Sequence, residues 1–223
     1  MFALRPDRKV FALRPDRKDD HIQSLLGADF TGTVMCDRAK MYLGFTTIQW
    51  CWAHLRRDFI ELSDTDTRIN NIGQELVDLT DELFYYWHLF RGGTLTRDGL
   101  QESIADLRAR IEDALNRGTS SKYSLIAGRC RSILTRPAAL WAFVSTEGVE
   151  PTNNAAERAI RPLVILRRLT YGTQSAAGSR FVETMHTILE TCRQQGRNVF
   201  EFITDAITKA RRQEPLPTLI PAP

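Results

Sequence analysis

The stretch GTVMCDRAKMYLGFTTIQWCWAHLRRDFIEL, residues 32–62, decides the fold class. GTVMCD is short, apolar and β-branched enough to read as a buried strand that ends at Asp37. TTIQWCW (46–52) is a second β-prone run, and AHLRRDFIEL continues it as a helix. Upstream, FALRP reads as a strand, and DDHIQSLLG reads as a short helix with acids in its first turn and Gly27 at its end. Strand, helix, strand, strand, helix within some fifty residues predicts an α/β layer.

Farther out, the pattern changes to helices alone. Ile69, Ile72, Leu76, Leu79, Leu83, Trp87 and Phe90 recur at three-four spacing, the mark of one long amphipathic helix that RGGT breaks. Leu100, Ile104, Leu107, Ile111 and Leu115 trace a second helix, closed by the NRG tripeptide. A third covers about 122–134, and Pro137 opens a fourth that runs through Phe143. After STEGVEPTNN a helix starts at Ala155 and is interrupted by Pro162. A GTQSAAGS loop leads to a helix bearing Phe181, Met185, Ile188, Leu189 and Cys192, and a last helix carries Phe200, Ile203 and Ile207. The tail EPLPTLIPAP has too many prolines for regular structure and reads as a loose end.

The N-terminus carries FALRPDRK twice, at 2–9 and 11–18. Repeat architectures need longer, diverged units, so this is a local duplication whose second copy is expected to be structural and whose first is a frayed extension.

The totals bound the function. With 223 residues, 43% hydrophobic and 26% charged, the chain can bury a proper core and is not wholesale disordered. The four cysteines (Cys36, Cys51, Cys130, Cys192) are scattered, as in reduced intracellular thiols, and no apolar run reaches membrane-spanning length. Net charge is only +3, but from Pro151 onward ten Lys/Arg stand against six Asp/Glu. The positive potential is therefore local.

Several residues are candidates for chemistry. Asp37 closes a strand, where α/β folds place functional groups and where turn-forming aspartates are equally common. Cys51 and His54 have half a zinc-site spacing, but no second pair exists to complete four ligands. His54, with Arg56 and Arg57, fits better beside an anion, or else is a solvated helical turn. In TNNAAERAIRPL (152–163), Asn154 and Glu157 have the form of a capping box. Capping leaves Arg161, one turn on, and the nearby Arg158, Arg167 and Arg168 unexplained. Arginines around a single acid suit a phosphate-binding helix beside a metal, though a Glu–Arg pair is also common on any solvated helix.

Together, LLGADFTGTVMCDRAKMY, CWAHLRRDF, TNNAAERAIRPL and YGTQSAAGSRFVETMHTILETCRQQGRNVFEF resemble the insertion-sequence-66 family of bacterial DDE transposases, in the family's order. The resemblance implies an α/β fold: a ribonuclease H-like core, here incomplete, interrupted by a mostly α-helical insertion and predominantly helical overall. It implies an Asp, Asp, Glu triad holding two magnesium ions. Asp37 matches the second acid and Glu157 the third, both as metal ligands, with His54 and Arg161 as companions at the catalytic site. Arg56, Arg57, Arg158, Arg161, Arg167 and Arg168 then become DNA-binding residues. The expected division is a duplicated extension (1–10), partial core (11–63), helical insertion (64–146), returning core (147–212) and disordered Pro-rich tail (213–223).

The implied chemistry is phosphodiester cleavage at transposon ends and attack of the freed 3′-hydroxyl on target DNA. The expected partners are DNA and further copies of the chain, in the cytoplasm at the nucleoid and with no membrane. The family's first acid has no counterpart, since Asp7, Asp16, Asp19, Asp20 and Asp29 fall in turn-like or helical contexts. The chain is thus expected to be a C-terminal portion, truncated and inactive. The alternatives are a non-catalytic DNA-binding or interaction protein and, less well supported, a junction-resolving nuclease.

Overall fold

A computed structural model of the chain describes residues 2–4, 9–11, 19–27, 30–65 and 71–220. In chain order its elements are β1 (Phe2–Leu4), β2 (Lys9–Phe11), α1 (Asp19–Leu26), β3 (Val34–Cys36), β4 (Ile48–Trp50), α2 (Trp52–Thr65), α3 (Ile72–Arg91), α4 (Arg97–Thr119), α5 (Ser124–Leu134), α6 (Ala142–Ser145), α7 (Asn154–Thr170), α8 (Ala176–Gln194) and α9 (Val199–Arg211). Short 3-10 turns at Lys40–Tyr42 and Pro137–Leu140 complete the set. The described chain is predominantly helical and divides into two compact units, 31–153 and 1–30 with 154–223.

Unit 31–153 is built on the parallel pair β3–β4, in register Val34↔Ile48 through Cys36↔Trp50. β4 is fully buried, and Gln49 fixes its flank. The Gln49 amide donates to the Trp50 and Leu140 carbonyls (2.8 and 3.2 Å) and accepts from the Phe143 amide at 2.9 Å. Every polar atom of that buried amide is thus satisfied. The three-four apolar stripes of α2 to α5 turn inward: Leu55, Phe59 and Leu62 pack with Leu76, Leu83, Leu107, Ile111, Leu115 and Cys130 in one core.

Two close approaches set the spacing of these helices. At Gly73 an added Cβ would stand 2.2 Å from the Ser63 amide nitrogen of α2. At Gly118 it would stand 2.4 Å from Cys130 Sγ of α5. Gly118 therefore does not close α4 as the sequence suggests; the helix continues to Thr119 and uses the glycine to admit its neighbour.

The second unit pairs β1 with β2 antiparallel, Phe2↔Phe11 to Leu4↔Lys9. The first FALRPDRK copy is thus a strand at 2–4 rather than a frayed end, and the second contributes Phe11, while 12–18 lie outside the described residues. Phe11 is buried, donates its amide to Thr187 Oγ1 at 3.2 Å, and meets the His186 ring edge-on at 4.4 Å.

Several expectations are corrected. The FALRP strand pairs in its own hairpin, so the described strands make two separate two-stranded sheets rather than one layer. Pro162 lies inside α7 without interrupting it. Its missing N–H frees only the Arg158 carbonyl, and both residues are exposed to water. The Pro137 helix splits into a 3-10 turn and α6. The AAGS residues belong to α8, capped by Ser175 through a bond from Gly178 N at 3.0 Å. The tail is anchored through 220: Arg197 donates to the Thr218 carbonyl at 2.9 Å and Gln195 to that of Leu219 at 2.7 Å.

Candidate functional site

Asp37 follows β3 directly and is half-buried. Its Oδ1 accepts from the Ala39 amide at 3.0 Å, which fixes the turn beneath it. The Cys51 amide donates to the Cys36 carbonyl at 2.9 Å, so β4 ends beside β3 and delivers α2 at the same, carboxyl end of the pair. His54, the third residue of α2 and half-buried, therefore leaves the strand pair at the end where Asp37 does. Functional groups of α/β units collect at that end. The thiol of Cys36 is pushed up to about 12 by burial first and by the adjacent Asp37 second.

The arginines of α2 diverge. Arg56 makes a bidentate pair with Asp81 of α3, at 2.6 and 2.9 Å, and its hydrogen bond holds the Asp81 carboxyl below the usual range. Arg57 is exposed and, three residues after His54, shares its side of the helix. Arg38, Asp58 and Arg129 form a network that no local spacing in the sequence announces. Asp58 binds Arg38 and also Arg129 (2.9 Å), and Arg129 reaches Glu61 at 3.1 Å. The network's one trace in the sequence is the basic residue next to Asp37.

Glu157 lies in the other unit, exposed in the first turn of α7. Helical spacing places Arg161, Val164 and Arg168 at i+4, i+7 and i+11 from it, one stripe along one side. Arg158 and Arg167 flank that stripe about a quarter-turn to either side. A cavity of about 390 Å³ is lined by Asn154, Glu157, Arg158, Ile160, Arg161 and Val164. The capping box does not form as the sequence suggests, because α7 already begins at Asn154. Asn153, one residue earlier, gives its amide to Cys51 Sγ at 3.5 Å, and its buried Oδ1 has no hydrogen-bond partner.

Ion pairing separates the two sets of arginines. Arg38, Arg56, Arg110, Arg117 and Arg129 are all engaged with carboxylates in unit 31–153. Among the described residues, Arg158, Arg161, Arg167, Arg168 and Arg180 are exposed and none has an ion-pair partner. Arg180, in the SRF of α8, is an addition to the candidates read from sequence. As for a metal, no group of three or more His, Cys, Asp or Glu is gathered among the described residues. Asp37 and Glu157 belong to different units, and one carboxylate in each is not a metal site by itself.

The family described as "Transposase IS66 family" matches residues 2–180, which takes in every candidate above. The chain belongs to the IS66 family of transposases. Two similar curated proteins come from Sinorhizobium fredii (strain NBRC 101917 / NGR234). "Uncharacterized protein y4qI" is 30% identical over 203 residues, covering 82% of this chain and 36% of the relative. "Uncharacterized protein y4hP" is 28% identical over 177 residues, covering 73% and 32%. This transposase-family chain thus spans about a third of the length of the curated relatives it matches. No solved structure matches it. No described helix is long and apolar enough to cross a membrane.

Proposed function

We propose that this IS66-family chain acts in DNA transposition of the DDE type, by phosphodiester cleavage at element ends and strand transfer to target DNA. The observation that carries the proposal is the α7 stripe, where unpaired Arg161 and Arg168 share a side with Glu157. Guanidiniums with no carboxylate partner are left to bind an anion, and a backbone phosphate beside Glu157 suits them. In this reading Arg158, Arg161, Arg167 and Arg168 grip backbone phosphates without reading sequence, and Arg57 adds to them beside His54. Arg56 is the weaker member, since binding DNA requires it to leave Asp81.

Asp37 and Glu157 are the second and third acids of a ribonuclease H-like core, with residues 64–146 as its helical insertion. Magnesium is the cofactor this reading requires, and these two acids are the ligands this chain would offer it. The two ends of an element must be joined together, so two or more copies assemble on DNA at the bacterial nucleoid.

Strand transfer with magnesium and element-end DNA tests the proposal. The 223-residue chain alone is expected to bind DNA and give no product, because the first acid is not among the residues assigned. Robust product from this chain alone overturns that expectation. In a longer polypeptide that adds the first acid, product is expected, and Asp37→Asn or Glu157→Gln should each lower it at least about a hundredfold. Product that survives both substitutions overturns the assignment of the acids. DNA binding without catalysis is the second reading, favoured by the same unpaired arginines; persistent binding with no product in the longer polypeptide would establish it.

A further inference from the structure

The chain leaves α7 through Tyr171 at φ 58° and Gly172 at φ 87°. Glycine adopts the left-handed region freely, but a bulky side chain there is an outlier that costs stability. Tyr171 is also 91% exposed, so packing does not repay that cost. Neither backbone preference nor burial selects tyrosine at this position. An outlier held at an exposed aromatic points to a ligand.

The turn that presents Tyr171 is built rather than slack. A Cβ on Gly172 would come within 4.0 Å of Arg167 Cγ, so the chain folds back over the last turn of α7. The Thr173 and Ser179 hydroxyls bond at 2.6 Å, and Ser175 caps α8. Tyr171 is thereby held exposed directly after the last turn of α7, which carries Arg167 and Arg168. Arg180 and Phe181, itself 66% exposed, follow on the far side of the turn.

From 154 to 180 the chain holds five arginines and one acid, Glu157, and none of the five has an ion-pair partner among the described residues. Such charge complements a polyanion. A flat, exposed ring in a turn that follows two exposed arginines without ion-pair partners suits a strand whose bases are free to stack and whose phosphates flank them. The interior of a duplex offers no free base face, whereas a single strand or a frayed end does.

We propose that Tyr171 stacks on an unpaired nucleobase of DNA, with Arg167 and Arg168 holding the phosphates on either side. The proposal deepens the transposition reading above and rests on it. It names a positioning residue for the DNA strand, in a turn assigned only a connecting role by sequence.

The test uses the full chain and fluorescence anisotropy, with an oligothymidylate of about twelve nucleotides and a blunt duplex of the same length as probes. Tyr171→Ala should weaken oligothymidylate binding on the order of tenfold with the salt slope unchanged, and Tyr171→Phe should stay within about twofold. Blunt-duplex binding should change by less than about twofold in both. Tyr171→Gly relieves the backbone and should hold or raise the thermal midpoint while losing affinity as the alanine variant does. Arg167→Gln with Arg168→Gln should instead flatten the salt dependence.

Oligothymidylate binding unchanged in Tyr171→Ala, with the wild-type chain binding both probes, overturns the stacking role and leaves the DNA reading standing. A loss of self-association in that variant with DNA binding intact also overturns it, and assigns the ring to a protein interface. A wild-type chain that binds neither probe removes the DNA reading and the stacking role together.

Discussion

Cys36 sits between a buried strand and an acid, and that position governs its thiol. Burial, with Asp37 adding, pushes it up to about 12, and burial lifts Cys130 to about 11. All four cysteines are buried, and none of them forms a disulfide. The thiolate is the reactive form, so at about pH 8 a native chain is expected to react slowly with a disulfide reagent at every cysteine, and a denatured one fast at all four. The sign of the linked stability follows. A folded-state value raised above the unfolded one, near 9, favours the protonated thiol in the fold. The contribution is complete below about pH 9 and is lost as pH rises toward about 12. Urea midpoints measured across that window should fall with pH, and Cys36→Ala should flatten the fall. A slope that is the same in wild type and Cys36→Ala would remove Cys36 from the account.

Gly73 and Gly118 act at the scale of the helix pair, and they differ in what they face. A methyl at Gly73 runs into α2 backbone, which cannot yield without moving the helix, whereas one at Gly118 runs into the single Sγ of Cys130. Gly73→Ala should therefore destabilise by about 3 kcal/mol or more, and Gly118→Ala by about 1–2 kcal/mol after the gain in helix propensity. Cys130→Ala should rescue much of the Gly118→Ala loss, because it empties the space the new methyl needs; urea titration of the double-mutant cycle measures the coupling. A purely additive double mutant would contradict the close approach. The same positions show what the sequence made legible at this scale. Three-four spacing located α3, α4 and α8, since amphipathic stripes report burial directly. A glycine near a helix end has two meanings, a stop or a contact, and only the neighbouring helix distinguishes them. Pro162 was ambiguous in the same way: a proline breaks a helix where its neighbours are buried, and α7 exposes Arg158 and Pro162 to water. Asp37 and Glu157 are candidates on motif alone, whereas the pairing of Arg56 with Asp81 joins residues twenty-five positions apart on different helices, beyond any local pattern.

Charge is segregated along the whole molecule in a way the near-neutral total conceals. Residues 72–119, the α3–α4 hairpin, hold nine acids and five bases, while 154–223 hold ten bases and six acids. The hairpin's outer groove, lined by Glu75, Asp78, Glu82 and Asp113 with Arg110 and Arg117, keeps its arginines paired and retains an excess of carboxylates. A polyanion is repelled there and attracted to α7. Binding that releases counterions from the duplex should therefore depend on salt mainly through the α7 arginines, with Arg57 of α2 adding to them. Replacing Arg158, Arg161, Arg167 and Arg168 by glutamine should lower the slope of log affinity against log salt by up to about 0.9 for each phosphate that is no longer neutralised. Asp78→Asn with Glu82→Gln should leave that slope as it is in wild type, and should not weaken binding. Filter binding of one duplex at several salt concentrations, across the three proteins, measures both. An unchanged slope in the arginine variant places the DNA elsewhere, and a weakened affinity in the hairpin variant means that the insertion itself touches the duplex.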